Sequence, residues 1–137
     1  MKKIISILAI LSLAVLLVSC SADIHTSVSS ERPADKKIIE VEAEEYGDNA
    51  YFTTKKELTS LTVNKMIYDY QEETYSLVET AYKKNKLSTD ECLKIILDLE
   101  QEMPYIMVSY KIGNKQYEQY IYKNPESGKM LLLELEQ

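Results

Sequence analysis

Residues 105–122, YIMVSYKIGNKQYEQYIY, alternate apolar and polar side chains on either side of the pair Gly113 and Asn114. A glycine in the first place of such a pair is typical of two-residue hairpin turns, because the chain there takes a positive φ angle. The stretch therefore predicts two antiparallel strands. The short turn also fixes the register, with Met107 opposite Tyr120 on one face of the hairpin.

Further strands are predicted on both sides of this hairpin. Residues 130–136 place leucines at alternate positions of a short last strand. Residues 38–45, IIEVEAEE, alternate apolar and acidic side chains, which is the pattern of an edge strand with a charged outer face.

Two helices are predicted between the first strand and the hairpin. Apolar residues at helical spacing indicate a long helix at about residues 56–85, although β-branched residues in its first third would also suit a strand. Ser88 and Glu91 form a capping box before a second helix that ends near residue 102. The order of strand, helix, helix and three strands predicts an α+β domain, with two helices packed on one face of a small antiparallel sheet.

The start of the chain has the three-part layout of a secretory signal, with two lysines, an apolar run at 4–18 and a small residue before Cys20. As a helix the run would reach about 22 Å, short of the roughly 30 Å hydrocarbon core of a membrane. Residues 17–20, LVSC, resemble the lipobox of bacterial lipoproteins. The resemblance implies that residues 1–19 are removed and that Cys20 carries acyl chains such as palmitate.

Residues 20–37 are rich in serine and charge, so we expect a lipidated cysteine followed by a flexible tether, with a single small domain at 38–137. After removal of residues 1–19 the chain would keep fourteen basic and twenty-two acidic residues. A negative net charge of this size predicts repulsion from phosphates and from anionic lipid, so nucleic acid is a poor partner. The expected partners are the membrane, through the lipid on Cys20, and a basic or neutral protein of the cell envelope.

Most catalytic chemistry lacks the residues that it would need. The one histidine, His25, lies in the predicted tether, and Cys92 falls in an apolar register typical of a small buried hydrophobe. Three glycines form no phosphate-binding loop, and the acidic residues do not have the spacing of a calcium loop. We therefore expect no catalytic residues, no metal site and no cofactor.

The chain has eleven tyrosines and no tryptophan. If the helices cover one face of the hairpin, its other face carries a partly aromatic apolar patch that would bind a partner protein. The predicted partner-binding residues are Tyr105, Met107, Tyr120 and Tyr122. The alternative is that the long helix or the first strand covers this face, in which case these side chains belong to the core.

The C-terminal third resembles a known module. STDECLKIIL from Ser88, then YIMVSYKIG, then NPESGKMLLL, is similar to the PepSY module of envelope proteins, with a helix, a strand, a glycine turn and two further strands. Asn124 and Pro125 depart from the aspartate and alanine of that family. The resemblance implies a small non-catalytic envelope module, proposed for that family to bind or restrain peptidases. A cystatin-like fold, with a long helix followed by a curved sheet, fits the element order about as well.

The sequence thus predicts an exported, non-enzymatic lipoprotein, held at the cell membrane or outer membrane, that binds another protein as an inhibitor or assembly factor. The alternative is a small-ligand binding lipoprotein with a pocket between helices and sheet. That function would require a cavity of about 300 Å³ or more.

Overall fold

The structure, a computed structural model, describes residues 25–134 and contains nine β-strands in that range. The strands are β1 Thr26–Ser29, β2 Lys37–Glu42, β3 Asp48–Thr54, β4 Leu58–Asp69, β5 Thr74–Leu87, β6 Glu91–Leu97, β7 Ile106–Ile112, β8 Lys115–Lys123 and β9 Met130–Leu133. No helix occurs in the described part of the chain, and hence none that could cross a membrane. The prediction of an α+β domain with two helices is therefore wrong, and the fold is all-β.

The strands form two sheets that pack face to face. One sheet has four strands in the order β1-β3-β6-β2, and the other has five in the order β5-β4-β7-β8-β9. Apolar side chains from both sheets meet in one buried cluster, in which Phe52, Leu93 and Ile95 of the first sheet face Leu61, Val108 and Ile121 of the second. Burial of this apolar surface between the layers is the main source of stability for such a sandwich.

Irregular strand geometry explains why β4 and β5 have the apolar spacing of a helix. Leu58 and Leu61, three positions apart, are both fully buried, because the backbone between them takes a positive φ at Ser60. In β5, Ala81 and Val78 are extra residues opposite shifts in register, which is the definition of a β-bulge. Each irregularity changes the phase of the alternation, so the apolar residues no longer repeat every two positions.

The second predicted helix is the interior strand β6. Ser88 and Glu91 make one of the two bonds of a capping box, from the Ser88 backbone N–H to Glu91 Oε1 at 2.9 Å. The Ser88 hydroxyl also donates to Glu91 Oε1, at 3.1 Å, and the Glu91 backbone N–H bonds instead to the Ser88 carbonyl. The bonds to Glu91 Oε1 also hold the pKa of Glu91 below its usual value, the Ser88 backbone N–H contributing most. A strand follows the turn instead of a helix, because β6 lies between β3 and β2 and is apolar on both faces.

Both strands of the central hairpin are confirmed, together with their register. Met107 pairs with Tyr120 in β7 and β8, and Gly113 takes a φ of 61° in the turn between them. The expected edge strand at 38–45 is also confirmed as β2, which lies at the edge of its sheet and runs parallel to β6. The expected last strand is confirmed as β9, as far as the structure describes it.

The first described strand lies inside the predicted tether. Thr26–Ser29 forms strand β1, which pairs with β3 in an antiparallel arrangement. The predicted leader and the predicted lipidation site, Cys20, lie outside the described residues. The ordered strand therefore starts six residues after the proposed anchor.

Gly47 lies where the chain turns from β2 to β3, and a Cβ atom there would be 2.3 Å from the Leu97 carbonyl oxygen. That oxygen belongs to the end of β6 and moves only if the sheet moves. We expect Gly47→Ala to lower the free energy of unfolding by about 1 to 3 kcal/mol through overpacking. Urea denaturation measures this, with exposed Asn49→Ala as the control that stays within about 0.5 kcal/mol. Equal midpoints for both variants would contradict the close approach.

Candidate functional site

The predicted partner-binding patch is not exposed in this fold. Tyr120 is 1% exposed and Met107 is 5% exposed, whereas Tyr105 and Tyr122 are half-buried. Met107 and Tyr120 do lie on the outer face of the five-stranded sheet, as the register predicted. That face is covered, so the prediction of an open docking surface at these residues is wrong.

The cover is the far end of the β4–β5 hairpin. We call residues 66–78 the arm: Met66 to Asp69 of β4, the turn, and Thr74 to Val78 of β5. The Tyr75 ring lies 4.5 Å from the Tyr120 ring, and the Tyr75 hydroxyl donates to the Pro104 carbonyl at 2.8 Å. Burial raises the pKa of both tyrosines, that of Tyr120 to about 12. The bulges in β5 supply the bend that brings the arm back over the sheet.

A second small core results between the arm and the sheet. Leu133 is fully buried there, with Tyr68, Met103, Tyr122 and Leu131 packed around it. The Tyr120 hydroxyl is also buried and has no hydrogen-bond partner among the described residues. This side chain is therefore held by its ring rather than by its polar tip.

Tyr105 has a separate role from the other predicted patch residues. Its hydroxyl accepts a bond from the Asp98 backbone N–H at 2.7 Å and donates to Glu44 at 3.2 Å. Burial raises the pKa of Tyr105 to about 12, so the phenol stays protonated at neutral pH. Tyr105 therefore joins the β6–β7 connection, to which it and Asp98 belong, to Glu44 in the β2–β3 connection, and its ring packs against the main core.

The arm carries the exposed apolar side chains that the sequence placed elsewhere. Ile67, Leu77 and Val78 are each more than half exposed, at 59, 57 and 58%, and Tyr70 at the turn is 39% exposed. Four large exposed apolar side chains make this hairpin a candidate for protein contact, with Leu77 and Ile67 on its opposite faces. Their signal in the sequence was hidden because they fitted the helical spacing of the predicted long helix.

The turn at the tip of the arm had a detectable signal. Asp69 Oδ1 accepts the backbone N–H groups of Gln71 and Glu72, at 2.8 and 3.1 Å. This is an Asx turn, in which an aspartate side chain replaces a backbone acceptor. Glu73 completes the turn with a φ of 55°. An aspartate followed by polar residues between two runs rich in β-branched residues favours such a hairpin.

The outer edge of β5 offers backbone groups beside the exposed apolar side chains. β5 is the last strand of its sheet, and no strand among residues 25–134 pairs with its outer edge. The half of β5 nearest the core carries Lys83, Lys84 and Lys86, the residue type that blunts sheet edges. Residues 74–80, TYSLVET, contain no lysine. In this half of the edge, the protection against pairing with another chain is limited to Glu79 and the bulge at Val78.

His25 is held in the fold, contrary to its predicted place in a tether. Its Nε2 lies 3.2 Å from the Tyr110 hydroxyl, and its ring lies 4.8 Å from the Tyr117 ring. The Tyr110 hydroxyl donates to Gln119 Oε1 at 2.9 Å, and the Thr26 hydroxyl donates to the same oxygen at 2.9 Å. The two buried hydroxyls share the Gln119 oxygen as acceptor, so these bonds connect β1 of one sheet to β7 and β8 of the other.

Cys92 is fully buried in β6, as its apolar surroundings predicted, although in a strand rather than a helix. Burial raises the pKa of its thiol to about 11, which keeps the sulfur protonated and unreactive at neutral pH. Among residues 25–134 no three histidine, cysteine or acidic side chains come together as a metal site would require. A pocket lined by residues 97–105 and 121–123 has a cavity volume of about 20 Å³. That volume holds about one water molecule.

The chain was compared with protein-family models, with curated proteins and with solved structures, and nothing matches in any of the three.

Proposed function

We propose that this chain is a lipoprotein of the cell envelope, anchored through Cys20, that binds a partner protein through the β4–β5 arm. The binding is non-enzymatic and suits an inhibitor or an assembly factor. The observation that carries the proposal is the edge of β5 at residues 74–80, where Leu77 and Val78 are exposed beside unpaired backbone groups.

An edge of this kind binds extended segments by adding a strand to the sheet. Main-chain hydrogen bonds give affinity in that mode, and side chains at alternate positions give specificity. Natural proteins protect exposed apolar edges because such edges also lead to aggregation. An exposed edge with so little protection is best explained by a partner that pairs with it.

The charges around the arm define the chemistry of the partner. Asp69, Glu72 and Glu73 lie on the arm, and Glu79 follows it directly. Lys65 beside the arm lies 2.9 Å from Glu44 and 3.9 Å from Glu79. An acidic rim favours basic residues on the other side of an interface. The partner is therefore an extended apolar segment flanked by lysine or arginine, in another envelope protein.

Photocrosslinking in intact cells tests this proposal. A photoreactive residue at Ser76, exposed on the edge of β5, is expected to give one discrete adduct with a second protein. A probe at Tyr120 would report only contacts within the chain, because that side chain is buried by Tyr75.

The matched controls separate the edge from the rest of β5. Val78→Lys adds the protective residue type and should remove the adduct, while unfolding free energy changes by no more than about 0.5 kcal/mol. A probe at Lys83 should give no adduct. A product with twice the mass of the chain would identify a second copy as the occupant, and absence of any adduct at Ser76 would contradict partner binding by the arm.

The small-ligand function has little support from the fold. The helices that were to form one wall of its pocket are strands, and the cavity at 97–105 has about 20 Å³ against the roughly 300 Å³ that a ligand pocket needs. The two sheets meet through apolar side chains that fill the space between them.

A further inference from the structure

We propose that the end of the sandwich where the chain joins β1 is a membrane-facing surface that binds anionic phospholipid headgroups through a group of lysines. The inference rests on the lipid anchor at Cys20 that the proposed function includes. It adds a second contact with the membrane, which sets the orientation of the domain.

The point at which the chain joins the fold is firmly placed. The His25 carbonyl accepts the Lys55 backbone N–H at 2.7 Å, and the His25 ring contacts the Tyr117 ring. His25 is five positions after Cys20, and an extended chain covers at most about 3.6 Å per position. His25 therefore lies within about 18 Å of the lipid-bearing residue, whatever conformation the intervening residues take.

Five exposed lysines surround this point, and we call them the basic end. Lys55 and Lys56 follow β3 directly, and Lys115 Nζ lies over the Tyr117 ring, 5.0 Å from its centre. Lys86 and Lys111 lie on either side of Thr59, which is paired with both of them in the five-stranded sheet. The lysines of the basic end come from the β3–β4 connection, from the β7–β8 hairpin and from the C-terminal end of β5.

Few carboxylates face the basic end. Glu57 lies within it, 3.9 Å from Lys86. Glu118 and Glu134 lie at its margin, where Glu134 Oε1 accepts from the Gln119 side chain at 3.5 Å. Beyond Lys86, Lys84 is engaged by Glu91 at 3.6 Å. Asp90 in the β5–β6 connection also lies at this end, with Lys36 and Lys37 beside it. The lysines at this end therefore outnumber the acids, although the chain as a whole is acidic.

The negative charge is concentrated at the opposite end of the sandwich. Contacts join the connecting segments there, since the Leu99 backbone N–H donates to Asp48 at 3.4 Å and the Tyr70 hydroxyl donates to Glu102 at 3.4 Å. The acidic residues of these segments are Glu44, Glu45, Asp48, Asp69, Glu72, Glu73, Asp98, Glu100 and Glu102.

A domain whose two ends differ in charge takes a definite orientation in the field of an anionic bilayer. The acidic end is repelled and the basic end is attracted, by about five-fold in binding constant for each lysine near the surface at physiological salt. The net charge of the chain predicted repulsion from anionic lipid because a net charge takes no account of where the charged residues lie. The arm, whose tip lies at the acidic end, is then held away from the membrane, where a partner reaches it.

Fluorescence quenching in vesicles tests the orientation. The full lipidated protein is inserted into vesicles of phosphatidylcholine, alone or mixed with phosphatidylglycerol, that contain a headgroup-attached quencher. A fluorophore is placed at Asn114→Cys in the basic end or at Gln71→Cys at the tip of the arm; both positions are exposed, and Cys92 is buried. We expect quenching at position 114 to exceed that at 71 by about five-fold or more with phosphatidylglycerol, and to fall when salt is raised.

Charge reversal provides the matched control. Lys55→Glu with Lys56→Glu should bring the quenching ratio close to its value in phosphatidylcholine alone, whereas Lys123→Glu with Lys129→Glu, at the far end of β8 and the start of β9, should leave it unchanged. A ratio that does not depend on phosphatidylglycerol would overturn the lipid contact while leaving the anchor intact. Protein that fails to float with the vesicles would instead overturn the anchor, and with it the orientation.

Discussion

Replacing Tyr120 with alanine is expected to lower the free energy of unfolding by about 3 to 5 kcal/mol, the usual cost of truncating a fully buried aromatic ring. Tyr120 is 1% exposed, and its ring packs on Tyr75 at 4.5 Å. The arm rests on this ring, so its loss removes contacts on both sides of the second core. A docking residue on an open sheet face would instead leave stability nearly unchanged.

Phenylalanine at the same position separates the ring from its hydroxyl. Because the Tyr120 hydroxyl is buried without a partner among the described residues, its removal costs nothing and relieves a desolvation penalty of about 1 to 3 kcal/mol. We expect Tyr120→Phe to be neutral or stabilising.

Tyr110→Phe is the matched comparison, since Tyr110 is also fully buried but bonds through its hydroxyl to Thr26 and Gln119. That variant should lose about 0.5 to 1.5 kcal/mol, because it removes buried hydrogen bonds, although Gln119 Oε1 still accepts from the Thr26 hydroxyl.

Denaturation in urea, followed by circular dichroism, measures all three variants. The decisive result is the opposite sign of the two phenylalanine substitutions, together with a large loss for Tyr120→Ala. If Tyr120→Ala were as stable as the parent chain, the arm would not cover the sheet, and the open patch predicted from the sequence would be restored.

The parts of the fold that were predicted correctly are those with a local cause. The β7–β8 hairpin follows from Gly113 and from regular alternation in both strands, so its register is fixed within eighteen residues of sequence. The edge strand β2 follows equally from alternation with acidic residues. Neither needs information about distant parts of the chain.

The two helices were predicted wrongly because the decisive information is not local. Bulges at Val78 and Ala81 in β5 give its apolar residues helical spacing, and only pairing with β4 selects the strand. β6 resembles a helix because both faces of an interior strand are buried, which removes the alternation. Only one of the two predicted capping bonds between Ser88 and Glu91 formed, and tertiary pairing determined that a strand follows them.

The candidate docking surface was predicted at the wrong residues for the same reason. Sequence identified an apolar face on β7 and β8 correctly, and Met107 and Tyr120 do share it. Whether that face binds a partner or an element of the same chain depends on the path of the arm, which the bulges set. The exposed apolar side chains are instead Ile67, Leu77 and Val78, on the hairpin that covers this face.

Cys20→Ser is expected to abolish acylation of the chain, and this is the largest effect that we predict. Residues 17–20 resemble the lipobox of bacterial lipoproteins. In those proteins the sulfur of the cysteine receives the diacylglyceryl group, and a serine hydroxyl does not replace it. Each methylene of an acyl chain contributes about 0.8 kcal/mol to membrane binding, so two or three chains hold the protein far more firmly than any surface contact. Incorporation of labelled palmitate should fall to background, and the shortened mature form should disappear.

Cys92→Ala serves as the control for this experiment, because Cys92 is the other cysteine of the chain and is fully buried in β6. That variant should keep the label and the mature size. Folding should be unaffected by Cys20→Ser, since the ordered strands begin at Thr26 and no described contact depends on the anchor. A serine variant that still acquired palmitate and matured to the same size would show that the membrane is reached by another route. The basic end would then be a surface of the domain without a bilayer fixed beside it.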